Sequence, residues 1–236
     1  MVDETDISQE KKWFYEERAR TAIASLKKRH ANAQYVSSRQ EAFSAVMGMI
    51  PEGATVARGD SITLEQIGVI DEVRKNKQYK FIDSHARTED GFFALDDEAR
   101  LRVQREAFFA DVFLTGTNAI TLDGKLVNID ALGSRVAPMI FGPGKVIVVV
   151  GANKIVKDVT EALERIHQLA APMNAQRHYL KHHISQWGDL PCIRTGKCSD
   201  CNQEWRICCH TVIIEGTYPR VKGRMNVVLV GEELGL

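Results

Sequence analysis

The run "KVIVVVG" at 145–151 limits the fold of this chain more than any other segment. An unbroken apolar strand has no face to offer water, so it reads as a central strand covered on both sides. At five residues, its apolar stretch "VIVVV" is the longest in the chain and far too short to cross a bilayer.

Helix and strand alternate on either side of it. Residues 8–30 carry a helical signature, with Trp13, Ala19, Ala22, Ile23 and Leu26 near one face. "AQYV" (33–36) is a short strand, "QEAFSAVMGMI" an amphipathic helix ended by Pro51 and Gly53, and "ATVA" (54–57) a strand. "LEQIGVIDEVRKN" predicts a helix, "YKFID" (79–83) a strand, 96–109 a charged amphipathic helix and "DVFLTG" (111–116) a strand. In "NAITLDGKLVNI", Asp123-Gly124 between alternating apolar runs predicts a two-residue β-hairpin. A helix around "SRVAPMIFG", with Pro138 near its first turn, and one over "VKDVTEALERIHQLA" follow. This alternation predicts an α/β fold: an open, mostly parallel sheet flanked by helices, with right-handed crossovers and a β-hairpin insertion.

After Pro172 the chain changes character. A polar, His-rich segment (178–183) leads to a Cys-rich one, and "TVIIEG" (211–216) and "NVVLVG" (226–231) read as a hairpin across "TYPRVKGR". The expected organisation is an N-terminal helix (1–31), an α/β domain (32–171) and a C-terminal appendage (172–236) whose last strands join the edge of the main sheet.

With 31 acidic and 31 basic residues there is no net field to draw the chain to nucleic acid or an anionic membrane. The polar start "MVDETDISQEKKWFYEERAR" has no apolar core of a signal peptide, so a cytoplasmic protein is expected. All five cysteines, Cys192, Cys198, Cys201, Cys208 and Cys209, lie within one short segment. In a reducing compartment such a cluster reads as metal ligands or redox groups sooner than as disulfides.

Ligands of open α/β sheets bind outside the carboxyl ends of the strands. After 54–57 comes "RGDSITLEQIG", in which Thr63 and Gln66 form a capping box and Ile62 with Ile67 a hydrophobic staple. Gly59 allows the turn, and Arg58 and Ser61 stand beside a helix start suited to a phosphate or carboxylate. After 111–116 come Thr115, Thr117 and Asn118, with Asn128, Asp130 and Arg135 returning on the hairpin; Asp130 also reads as a turn or cap residue. Lys154 follows the central strand and can balance a bound anion, although a solvated lysine at a helix entry is the commoner case. No Ser-His-Asp set, P-loop, GxGxxG or HExxH is present, so the residues describe a pocket for a small anionic molecule without naming its chemistry.

"GDSITLEQIG", "TGTNAITLDGKLVNIDALGSRVAPMIFGPGKVIVVVGANKIV" and the cysteine tail before "VVLVGEELG" resemble the LUD-domain proteins, also called the lactate-utilisation or DUF162 family. The resemblance runs from about Trp13 to Leu236 and is specific over 115–156. It implies a fold of the NagB/RpiA/CoA-transferase-like kind, related to 5-formyltetrahydrofolate cyclo-ligases. It also implies association, in some bacteria, with an iron–sulfur system oxidising L-lactate to pyruvate. No accepted catalytic residue comes with the family. Kinship with CoA transferases is analogy; Glu65 lies near a strand end, but nothing in the sequence activates it as their glutamate nucleophile. Relatives carry Gly-Gly-Ser where this chain has Gly59-Asp60-Ser61, and an Asp there repels an anion unless Arg58 compensates.

The family pattern matches Cys192, Cys198, Cys201 and Cys208, leaving Cys209 surplus. Four cysteines with a central C-x2-C suit zinc or an iron–sulfur cluster, and spacing does not separate the two. The redox association implied by the resemblance puts an iron–sulfur cluster first and zinc second. A plain surface thiol cluster, or disulfides formed after purification, are the bland alternatives. His178 and His182 fall one helical turn apart, outside the family pattern, and read as surface histidines; His210 adjoins the cluster.

The leading expectation is a component or accessory of organic-acid (L-lactate-type) oxidation, working with iron–sulfur lactate-oxidising partner proteins. One alternative is a transferase or ligase using the strand-end crevice; another is a zinc-stapled structural or interaction protein. A sheet edge beyond the hairpin would support a homo-oligomer.

Overall fold

A computed structural model describes residues 4–236; the first three residues of the expected 1–31 segment lie outside them. Helix α1 (Ser8–Lys28) leads into β1 (Asn32–Val36), α2 (Arg39–Met47) and β2 (Thr55–Arg58). Then come α3 (Ile62–Gln66), α4 (Val69–Lys75), β3 (Lys80–Ile82) and α5 (Asp97–Glu106). The middle of the chain holds β4 (Val112–Gly116), β5 (Ala119–Thr121), β6 (Leu126–Asp130), α6 (Val136–Ile140) and β7 (Lys145–Gly151). It ends with β8 (Ile155–Val156), α7 (Val159–Arg165), α8 (Ala171–His182), α9 (Pro191–Thr195), β9 (His210–Ile214) and β10 (Met225–Val230).

The main sheet has the order β1-β10-β7-β4-β2-β3, with every neighbouring pair parallel. β7 shows why the apolar run constrains the fold. Val146, Val148 and Val150 pack with Ala19, Ala22 and Leu26 of α1, while Ile147 and Val149 pack with Ala42 and Val46 of α2 and Ile70 of α4. Alternate side chains of one strand thus enter two separate cores, as the period-2 geometry of a doubly covered strand requires.

A smaller sheet, β8-β5-β6-β9, stands beside the strand ends. Its β5–β6 hairpin is there, but the turn has three residues, not two. Gly124 N donates to Thr121 O at 2.9 Å and Thr121 N to Lys125 O at 3.0 Å, with Gly124 at φ +84°. That is a type I turn closed by a left-handed glycine. A Cβ on Gly124 would also sit 2.7 Å from the Leu26 amide.

Three other expectations are corrected. The tail hairpin does not form: β9 pairs antiparallel with β6, whereas β10 lies between β1 and β7 in the interior of the main sheet, not at its edge. The reason is composition, because "MNVVLV" is buried along its whole length and an edge would leave one side of its backbone unpaired. The helix expected over 64–76 is two, since Gly68 takes φ +79° between α3 and α4. Pro172 does not end the preceding helix either; residues Ile166–Ala170 form a π-turn joining α7 to α8, which absorbs the missing proline N–H. No helix among the described residues is long and apolar enough to cross a membrane.

Candidate functional site

The chain passes from β2 to β3 at one side of the sheet and returns to β4 on the other side of β2. A switch of direction like this opens a crevice above the strand ends. A cavity of about 740 Å³ occupies it, lined by Ser61 after β2, His85 after β3, Gly116–Asn118 after β4 and Lys154 after β7. Arg135 and Asp130 from the hairpin and Arg177 and His178 from α8 close its sides.

Lys154 lies on the floor and is only 5% exposed. Its Nζ donates to Thr63 Oγ1 at 3.2 Å and Thr117 O at 3.4 Å, and no carboxylate is among its partners. Burial, together with the Arg165 and Arg135 cations, brings its pKa down to about 7. Arg135 is locked in place by donating to Gly116 O and Asn128 Oδ1 through one nitrogen and to Asn118 Oδ1 and Ile129 O through the other. Its Nε stands 3.8 Å from Asp130, which also accepts the amides of Gly133, Arg135 and Val136 and so acts as the turn residue expected.

Of the sequence-derived candidates, the cavity surface is formed by Ser61, Asn118, Asp130, Arg135 and Lys154. Gly59, Thr63, Thr115 and Asn128 lie beneath them. A Cβ on Gly59 would come within 2.7 Å of Arg135 Cγ and 3.2 Å of Thr115 Oγ1, so the glycine is what admits the arginine stem. Thr115 Oγ1 donates to Gly116 O at 3.1 Å. Asn128 Oδ1 accepts from Thr117 and Arg135, while its Nδ2 is buried without a hydrogen-bond partner.

Arg58 is placed differently from the expectation that it faces an anion. It is buried and tied to Asp83 and Glu65, with Asp83 Oδ1 2.9 Å from its Nε. Glu65 is thereby held in an ion pair and is not on the cavity surface. The capping residue of α3 is Ser61, whose Oγ accepts from Leu64 N at 3.4 Å; Thr63 turns inward to Lys154, and Gln66 Oε1 accepts from Gly235 N at 2.7 Å. With only five residues, α3 has little dipole to offer a ligand.

The sequence reading missed one unit altogether. Asp60 accepts from Arg177, and His178 Nε2 lies 3.0 Å from the same carboxylate oxygen. Burial alone would raise the Asp60 pKa; the His178 hydrogen bond and the Arg177 cation overrule it and hold Asp60 well below the carboxylate range. His178, expected at the surface, is 6% exposed, packed edge-on against Trp187, and pushed down in pKa mainly by burial. His178 Nε2 also lies 2.7 Å from Arg177 Nη2, and its Nδ1 is buried with no hydrogen-bond partner. Burial also lowers neighbouring His85 to about 4. Residues 60 and 178 are too far apart for spacing to connect them. The available signal was that both depart from the resembled family's pattern, and the structure brings the two departures within hydrogen-bond distance of each other.

A second, smaller hollow adjoins the crevice. Cys192, Cys198, Cys201 and Cys208 line it together with His167, whose Nδ1 is 3.5 Å from Cys198 Sγ. Cys209, surplus by spacing, faces the large cavity instead. Arg206 and Ile207 border both spaces. The hollow measures about 20 Å³, and among the described residues no three His, Cys, Asp or Glu side chains already form a group able to hold an ion. The donor set nonetheless fits a soft metal: four thiols share one space, and two of them, Cys192 and Cys208, have pKa values raised by burial and so carry protons that a metal would displace.

No curated protein matches the chain. Among solved structures, a DUF162 family protein from Deinococcus radiodurans superposes with a TM-score of 0.48 at 15% identity, covering 93% of this chain and 97% of that one. The LUD domain pattern matches residues 19–230, from within α1 through β10. With most of its length inside that match, the chain belongs to the LUD domain family.

Proposed function

We propose that the protein is a component of organic-acid oxidation of the L-lactate type, with the crevice binding a small carboxylate-bearing substrate or product. The observation that carries this reading is the buried Lys154 amine, which feels the Arg165 and Arg135 cations and has no carboxylate among its partners in the described residues. An ammonium buried without an anion is costly, and a bound carboxylate would relieve that cost. The apolar part of the cavity wall, including Ile129, Leu132 and Trp187, suits a short organic acid better than a free inorganic ion.

In this reading Cys192, Cys198, Cys201 and Cys208 hold a metal centre. The lactate-utilisation association of the family supports an iron–sulfur cluster, which would supply one-electron transfer to a partner protein. Zinc is the second reading, favoured by the size of the hollow, which has room for about one water-sized sphere. Either way, the shared wall of Arg206 and Ile207 would let the state of one site be felt at the other.

Trp187 and Trp205 both line the cavity, so their fluorescence gives a direct assay. Titration with L-lactate and with pyruvate should produce a saturable change that inorganic phosphate does not reproduce. The same titration with Lys154→Met should lose at least about tenfold in affinity, the size of one charge-assisted hydrogen bond. Identical curves for the two proteins, or no saturable change with either acid, would overturn the crevice reading.

A further inference from the structure

A buried lysine can hold an anion while protonated and can act as a nucleophile once neutral, and the surroundings of Lys154 bear on the second role. An ammonium has three protons and needs three acceptors when buried; a neutral amine has two protons and a lone pair. Two acceptors face Lys154 Nζ, namely Thr63 Oγ1 at 3.2 Å and Thr117 O at 3.4 Å. A third proton would find none among the described residues, and the charges of Arg165 and Arg135 disfavour an ammonium. The close pass of the chain at Gly235, where a Cβ would lie 2.6 Å from Nζ, fixes the amine from the remaining side. The open direction is the cavity, to which Lys154 contributes surface.

Resting on the crevice reading, we propose that Lys154 condenses with the carbonyl carbon of a small 2-oxo acid to form an imine. The nitrogen lone pair adds to the carbonyl carbon and the C=O π electrons move to oxygen. That oxygen leaves as water, carrying the two protons that the amine gives up, and a C=N bond stands where the C=O was. Atoms and electrons balance without any oxidant or reductant. Depressed basicity supports the chemistry: a pKa of about 7 leaves Lys154 roughly a thousandfold richer in free amine at neutral pH than an ordinary lysine. A 2-hydroxy acid has no carbonyl to condense, so the reaction distinguishes the oxidised acid from the reduced one in the same crevice.

The test traps the imine on the intact wild-type chain. Pyruvate and sodium cyanoborohydride are added at neutral pH, and the protein is weighed whole and then mapped by peptide digestion. The expected result is a single 1-carboxyethyl group per chain on Lys154, exceeding the label on exposed Lys157 by about a hundredfold or more. L-Lactate in place of pyruvate should leave no label, and Lys154→Met should leave none with an unchanged circular-dichroism spectrum. Label spread over Lys157 and other exposed lysines, with Lys154 unmodified, would overturn the imine. If pyruvate still quenched the cavity tryptophans in that experiment, the crevice reading would stand alone; if it did not, both would fall.

Discussion

The strand-end crevice and the cysteine segment lie side by side yet are built in opposite ways. Much of the crevice is anchored on the main sheet and on α8, and hydrogen bonds hold several of its charged groups: Arg135 by four acceptors, Asp60 by Arg177 and His178. The cysteine segment has only Ala175, Leu190 and Ile207 as its buried apolar cluster and no regular element between α9 and β9. The first site is complete as a product of folding. The second has its donors near one another, with Cys192 and Cys208 packed against apolar clusters, and in the proposed reading a metal would gather all four.

Substitutions can break or sharpen this contrast. Leu229→Ala in β10, at a position with no exposure, should cost ~2–5 kcal/mol in urea unfolding and disable the crevice with the sheet. If only the cysteine segment responded, the crevice would not be a product of the sheet.

Asp60→Ala should come next, at about 2 kcal/mol. Breaking a buried pair costs more, but the Asp60 side chain is 27% exposed and solvent softens the loss. Because its pKa is depressed in the folded state, its contribution is present above the ordinary carboxylate range and is lost as pH falls through the folded value. Acid titration of stability should therefore be flatter in the variant. An equal acid limb in both proteins would mean that Asp60 is not the anchor of α8.

Lys154 gives the opposite pH signature. Its folded pKa of about 7 lies below the unfolded lysine value, so the unfolded chain binds the extra proton between them. Wild-type stability should rise with pH above 7, by about 1 kcal/mol per unit relative to Lys154→Met. Parallel stability curves would show the amine charged when folded. Arg135 and Arg165 are the charged groups facing it and do not titrate in this range.

Cys201→Ser should shift global unfolding by less than about 1 kcal/mol, yet release the metal and speed amide exchange across 196–209. Cys209→Ser should do neither, because that thiol faces the other cavity. Smallest of all, Glu65→Gln should change stability by ~0.5 kcal/mol or less and leave ligand binding intact, since Asp83 still holds Arg58. A large loss of activity there would revive a transferase with a glutamate nucleophile.

Much of the scaffold was legible in the sequence because burial on both faces writes itself as an unbroken apolar run at "VIVVV"; the shorter "VVLV" at 227–230 was read only as a strand. What the run does not encode is its neighbour. Local order suggested that β10 pairs with β9, whereas the two strands went to different sheets. For the same reason Lys154, Arg135 and Asn118 could be placed at strand ends from sequence, but Asp60 with His178 could not. Their meeting depends on α7 continuing through a π-turn past Pro172, a tertiary outcome that overrides the usual reading of proline as a stop. The four thiols were legible as a set; their shared wall with the crevice was not.

The claim that the cysteine segment is a metal centre beside a finished crevice is tested most directly by metal and sulfide analysis, with a visible spectrum, on protein purified without oxygen. The account predicts iron and sulfide at about four per chain, with a broad absorption that bleaches on reduction, or else one zinc and no colour. A well-folded chain carrying neither iron nor zinc, with all four thiols free, would contradict it.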